Sequence, residues 1–167
     1  MVPDAHSTGT ISVPLPDPQA TDRLGARLSA LAEPGDVIGL TGELGTGKTA
    51  LSRAFVTALF DKFGYEREEV PSPTFTLVQL YEFPSFTVHH FDLYRLEKPN
   101  DVYELGFEDA LADGVSLIEW PDRIAPLLPI DRLDVVLLQG ERENERQAVL
   151  TPCGGWPARL ARGHIVG

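Results

Sequence analysis

Residues Gly42-Glu43-Leu44-Gly45-Thr46-Gly47-Lys48-Thr49 match G-x-x-x-x-G-K-[ST] at every fixed position. This run constrains the fold because it works only where a strand gives way to a helix. A loop curled there aims successive backbone N–H groups at one point, and the helix macrodipole adds about half a positive charge. Glycines let the backbone approach a ligand closely. Lys48 can reach β- and γ-phosphates, and the Thr49 hydroxyl can join the coordination sphere of Mg²⁺. The apolar run Val37–Leu40 precedes the loop. A helix predicted from about Lys48 to Phe63 follows, with Leu51, Phe55, Ala58 and Leu59 as its buried stripe. The stretch therefore predicts a bound nucleoside triphosphate.

The flanking segments set the architecture. Residues 10–15 read as a first strand, and a helix follows with Asp17 as its cap, Pro18 in its first turn and Pro34-Gly35 as its stop. Ala20, Leu24, Leu28 and Leu31 share one face of that helix. Residues 63–73 form a polar loop punctuated by prolines. Residues 74–83 and 86–96 are strand-like and are separated by Pro84-Ser85, which predicts a hairpin. One or two short helices over 99–114, a buried strand at 115–119, a turn or short helix at 121–129 and strands at 133–140 and 146–152 complete the order. These elements predict an α/β fold of the P-loop NTPase type, three layers α/β/α, with a mixed rather than purely parallel central sheet. One domain is expected over residues 1–167, with a loose tail from about 152 to 167.

Composition narrows the partners. Twenty-five acidic against 14 basic side chains give a net charge of −11. A protein that binds nucleic acid alone usually carries a basic face, so this chain is better suited to docking on a basic partner protein. No apolar run approaches the ~20 residues that span a bilayer, and the first ten residues do not resemble a secretory signal. The single cysteine, Cys153, reads as a bystander thiol and fits a reducing cytoplasm.

A P-loop enzyme also needs an acid at a strand end, to orient the metal or its water. Asp92, in Val88–Tyr94, and Glu119, in Val115–Trp120, both follow apolar runs. Acids at such positions face the same crevice as the glycine loop. His89 and His90 are adjacent on a strand, so they point to opposite faces and do not share one ion easily. His90 falls nearer Asp92. Trp120 reads equally as a core residue or as an exposed aromatic contact. No N-K-x-D guanine motif occurs, and the D-x-x-G match Asp61–Gly64 sits at a helix end, so ATP is the expected nucleotide.

The segments GELGTGKT, SPTFTLVQLYE, HHFDLYRL, ELGFEDAL and LIEWPDR occur in an order and spacing that resemble the TsaE (YjeE) family. These are bacterial P-loop ATPases of tRNA threonylcarbamoyladenosine formation. The similarity runs from about Thr21 to Leu138. The resemblance implies an Mg²⁺-dependent ATPase, slow alone, in which Lys48 and Thr49 serve the phosphates and the metal. It implies that Ser72–Phe75 is a switch-like loop, with Thr74 as its polar contact. Asp92 and Glu119 become the acids of the metal and hydrolysis site, and Glu119 the better metal candidate. Thr21 and Arg146 are carried over as enclosing the adenine. The implied partners are TsaD and TsaB, with tRNA met only through them. A small-molecule kinase is the rival, although residues 101–113, where a lid could sit, hold no Arg or Lys. A nucleotide-sensing adaptor without needed turnover is a third possibility, opposed by the paired acids.

Overall fold

A computed structural model describes residues 9–165. The stretch read as lacking a secretory signal lies mostly outside them. Strand β1 (Ile11–Leu15) leads into helix α1 (Pro18–Leu31). The Asp17 carboxylate accepts the Ala20 amide at 2.8 Å, satisfying one of the free N–H groups of the first turn. Strand β2 (Val37–Thr41) runs into the glycine loop, and α2 (Lys48–Phe63) follows. Gly64 ends α2 in the left-handed region, so Asp61–Gly64 is a helix terminus.

Strands β3 (Val78–Glu82) and β4 (Thr87–Asp92) form the expected hairpin. A 3₁₀ segment (Pro99–Leu105), α3 (Phe107–Asp113), β5 (Val115–Glu119) and a second 3₁₀ segment (Pro121–Leu127) come next. Strands β6 (Leu133–Gln139) and β7 (Arg146–Pro152) and helix α4 (Trp156–Arg162) close the described chain.

The seven strands make one sheet in the order β1-β7-β6-β2-β5-β4-β3. The centre is parallel: β2 pairs with β5 and β6, and β5 with β4. The edges are antiparallel, where β7 joins β6, β1 joins β7 and β3 joins β4. The sheet is therefore mixed, as expected. Strand β5 is buried along its whole length, the pattern of a strand covered on both faces. One core joins Leu24, Leu28, Phe55, Leu59 and Trp156, from α1, α2 and α4. The other joins Val102, Phe107, Ala110 and Ile124 to Phe91 and Ile118 of the sheet. These two cores pack the outer elements onto the sheet.

Helices α1 and α2 touch most closely at Gly25. A Cβ there would lie 2.5 Å from the Ala54 Cβ and 2.8 Å from the Phe55 amide nitrogen. Alanine is the better helix former by about 1 kcal/mol, yet the crowding forces the helices apart. Gly25→Ala is expected to destabilise the protein by about 1–3 kcal/mol in urea unfolding. A stabilised variant would contradict this packing.

Two expectations are corrected. The hairpin's first strand begins at Val78, not Thr74: residues 74–76 form a turn, and Leu77 sits at φ 68°. The Leu77 amide donates to the Pro73 carbonyl at 2.8 Å, which closes that turn before pairing can start. The tail from about 152 is not loose either. Trp156 is fully buried, and Leu160 and Ile165 join the same core. Arg159 donates two hydrogen bonds to Asp36, at 2.6 and 2.8 Å, and one to the Leu31 carbonyl at 2.9 Å. Two glycines and a proline hid an apolar pair at i and i+4.

Candidate active site

Three parallel strands end side by side. Leu40 is in register with Glu119, and Glu119 with Asp92. The glycine loop leaves β2 at this end of the sheet, the end where parallel α/β sheets bind ligands. Gly42 is required by close approach, because a Cβ would meet the Thr46 Oγ1 at 2.5 Å and the Leu137 carbonyl at 2.7 Å. Gly47 caps α2 at φ 102° without a side-chain hydrogen bond. The first amides of α2 are therefore left to a ligand.

Lys48 is buried and donates to the carbonyls of Gly42, at 2.5 Å, and Glu43, at 3.0 Å. Its ammonium also lies 4.3 Å from the centre of the Trp120 ring. Burial pulls the Lys48 pKa below the usual lysine range, and the charges of Glu119 and Asp92 oppose that shift. The Thr49 hydroxyl donates to the Glu119 carboxylate, 2.9 and 3.1 Å from its two oxygens. His90 Nε2 lies 2.6 Å from Glu119 Oε2. Asp92 accepts from the Ser72 hydroxyl and from the Tyr94 amide, both at 3.1 Å. Ser72 and Thr74 share a further hydrogen bond at 2.9 Å.

One cleft of about 390 Å³ opens beside these groups, and His90 lies buried behind it. Leu44, Gly45, Gly47, Lys48, Thr49, Thr74, Asp92 and Glu119 all face it. Glu43 and Thr46 belong to the same loop but line the neighbouring hollow beside Asp122 and Leu138. Arg146 reaches the loop from the start of β7, donating to the Gly45 carbonyl at 3.3 Å. Thr21 is not brought to the cleft: it is buried on α1 and is not among the lining residues.

Trp120 is half-buried in the left-handed region at φ 61° and forms a wall of the cleft, with the Tyr94 ring 5.0 Å away. His89 points to the opposite face, as strand alternation requires, and stacks on Phe91. Burial lowers its pKa. Sequence reasoning missed Arg95, an exposed cation lining the cleft, and the hydrogen bond from Ser72 to Asp92; Thr74, the expected polar contact of the loop, lines the cleft beside them. The place of Ser72 in SPTF, and of Arg95 three residues after Asp92, was the available signal.

The donors suit a hard cation. Among the described residues no cluster of three or more His, Cys, Asp or Glu side chains is arranged to hold a metal ion alone. A threonine hydroxyl and two carboxylates would leave about half of an octahedral set to phosphate oxygens and water. That is the way Mg²⁺ is usually bound, and the residues fit it.

The family model "Threonylcarbamoyl adenosine biosynthesis protein TsaE" matches residues 15–148. The chain belongs to the TsaE family. A tRNA threonylcarbamoyladenosine biosynthesis protein TsaE from Rickettsia bellii is 40% identical over 119 residues, covering 71% of this chain and 80% of that protein. The TsaE of Bacillus subtilis is 34% identical over 139 residues, covering 83% of each. A crystal structure described as Bacillus subtilis YdiB superposes with a TM-score of 0.73 at 27% identity, covering 93% of this chain and 94% of that one. The family match spans every cleft residue named above and also Arg146 at its far edge. No helix among the described residues is long and apolar enough to cross a membrane.

Proposed function

We propose that this chain is the ATP-hydrolysing subunit required for threonylcarbamoyladenosine modification of tRNA, acting on the TsaD–TsaB pair. Its substrate is ATP, and tRNA is met only through those partners. One observation carries the proposal: the P-loop residues Lys48 and Thr49 share a single cleft with two strand-end carboxylates, one of which Thr49 touches at 2.9 Å. Family membership supplies the pathway, since the relatives are named for it.

The chain's own groups divide the work. The loop amides and the α2 N-terminus hold phosphate oxygens, and Lys48 leaves its carbonyl partners to pair with the β- and γ-phosphates. Thr49 and Glu119, with Asp92 beside them, would hold Mg²⁺, which when bound neutralises charge on the phosphate oxygens. Asp92, held by Ser72 and the Tyr94 amide, orients the water and takes its proton as the water oxygen bonds to the γ-phosphorus and the bond from that phosphorus to the bridging oxygen breaks. ADP and phosphate leave. Arg146 braces the loop at Gly45.

The kinase rival gains nothing from the fold, because no residue of 99–113 lines the cleft. Reconstituted tRNA modification over many turnovers tests the proposal. Glu119→Ala is expected to cut turnover about 100-fold, in the range for loss of one preorganised electrostatic contact, and to change ATP affinity far less. An unchanged rate, or γ-phosphate label appearing on a metabolite instead of as free phosphate, would overturn it.

A further inference from the structure

His90 is fully buried on β4, two residues before Asp92 and on the same face of the sheet. Its Nε2 faces Glu119 Oε2 at 2.6 Å, and both side chains are withdrawn from solvent. The other ring nitrogen, Nδ1, has no hydrogen-bond partner among the described residues. These two facts fix where the ring proton sits. A proton on Nδ1 would orphan a buried donor and turn the Nε2 lone pair onto a carboxylate oxygen. A proton on Nε2 gives donor to acceptor and leaves only a lone pair unmatched, the cheaper arrangement.

Glu119 needs such a partner. Strand register brings its backbone to the cleft, but three side-chain torsions remain free, and ordering them costs entropy. The Thr49 hydroxyl is shared almost evenly between the two carboxylate oxygens, so it holds the group near α2 without choosing its rotation. His90 reaches only Oε2 and breaks that symmetry.

We propose that His90 is a positioning residue for Glu119: it donates from Nε2 to Oε2 and locks the carboxylate against Thr49. The proposal deepens the function given above and rests on it in one respect, that turnover depends on Glu119. His90 is fully buried and is not among the residues that line the cleft, so it acts through the acid. Metal-site carboxylates are commonly fixed by such outer hydrogen bonds.

The first test uses ¹⁵N-histidine NMR on the nucleotide-free protein. The His90 ring is expected as the Nε2–H tautomer, with a signal that moves in Glu119→Gln; an Nδ1–H tautomer would overturn the proposal. The second compares three variants in reconstituted modification, alongside ATP affinity by calorimetry. Glutamine places an amide nitrogen where Nε2 lies, asparagine places it near Nδ1, and leucine has no donor. His90→Gln should stay within about fivefold of wild type, while His90→Asn and His90→Leu lose roughly 10- to 100-fold in turnover with ATP affinity little changed. Turnover in His90→Asn equal to that in His90→Gln would overturn the proposal, and this pair decides even if His90→Leu fails to fold. Unchanged turnover in Glu119→Ala would instead sink the proposed function, while the ring tautomer still tests the His90 bond.

Discussion

Lys48→Ala is expected to weaken ATP binding by about 10²- to 10⁴-fold and to take turnover with it. In the free protein the ammonium is held by the carbonyls of Gly42 and Glu43, above the Trp120 ring. A triphosphate offers charged oxygens in place of neutral carbonyls. Each charge-assisted hydrogen bond is worth about 1.5–3 kcal/mol. Two such bonds lost give about 3–6 kcal/mol, which is the factor above. Stability should change little, because the freed carbonyls sit in a partly exposed loop where water can replace the lysine. Calorimetric titration with Mg²⁺ and ATP, with circular dichroism as the control for folding, measures the effect. An affinity within threefold of wild type would remove Lys48 from the phosphates.

Trp156→Ala should carry the largest loss of stability, about 3–5 kcal/mol, from a large cavity in the core. For a chain of this size that lowers Tm by roughly 6–20 °C. Trp156 is fully buried against the face built by α1 and α2, and the Arg159 guanidinium lies 4.1 Å from its ring centre. Removing the indole also loosens the shelf on which Arg159 meets Asp36, and a buried charge that loses its partner is costly. The indole N–H has no acceptor, so Trp156→Phe should be much milder than the alanine change. Thermal unfolding distinguishes the cases. A loss below about 0.5 kcal/mol, as for an exposed surface residue, would return α4 to the status of a tail.

The glycine loop and both acids were legible because their chemistry is local. A strand followed by G-x-x-x-x-G-K-[ST] admits few other structures, and an acid ending an apolar run marks where a strand leaves the core. Asp17 and Pro18 announced α1 in the same way. Features set by distant partners were not legible. The turn at 74–77 depends on the Pro73 carbonyl capturing an amide four residues on, against the strand propensity of Thr, Phe and Leu. Helix α4 depends on a tryptophan finding the core across the sheet edge, and on Arg159 finding Asp36, 123 residues away. The ring of His90 meets Glu119 only because β4 and β5 are neighbours, which no spacing in the chain reveals.

The side-by-side ends of β2, β5 and β4 act as a ruler with two rungs. Neighbouring strands stand about 4.8 Å apart, so backbone pairing sets how far the Cα of each acid stands from the phosphate loop. A slip of one residue would send an acid to the opposite face. The backbones that carry the acids therefore cannot drift by fractions, and what remains to be set is the side-chain torsions that Ser72 and His90 hold. Helix α2, which carries Thr49, rests on side-chain packing and can shift by small amounts. Losses of activity among variants that loosen the packing of α2 will accordingly be graded, and those among variants that shift strand register abrupt.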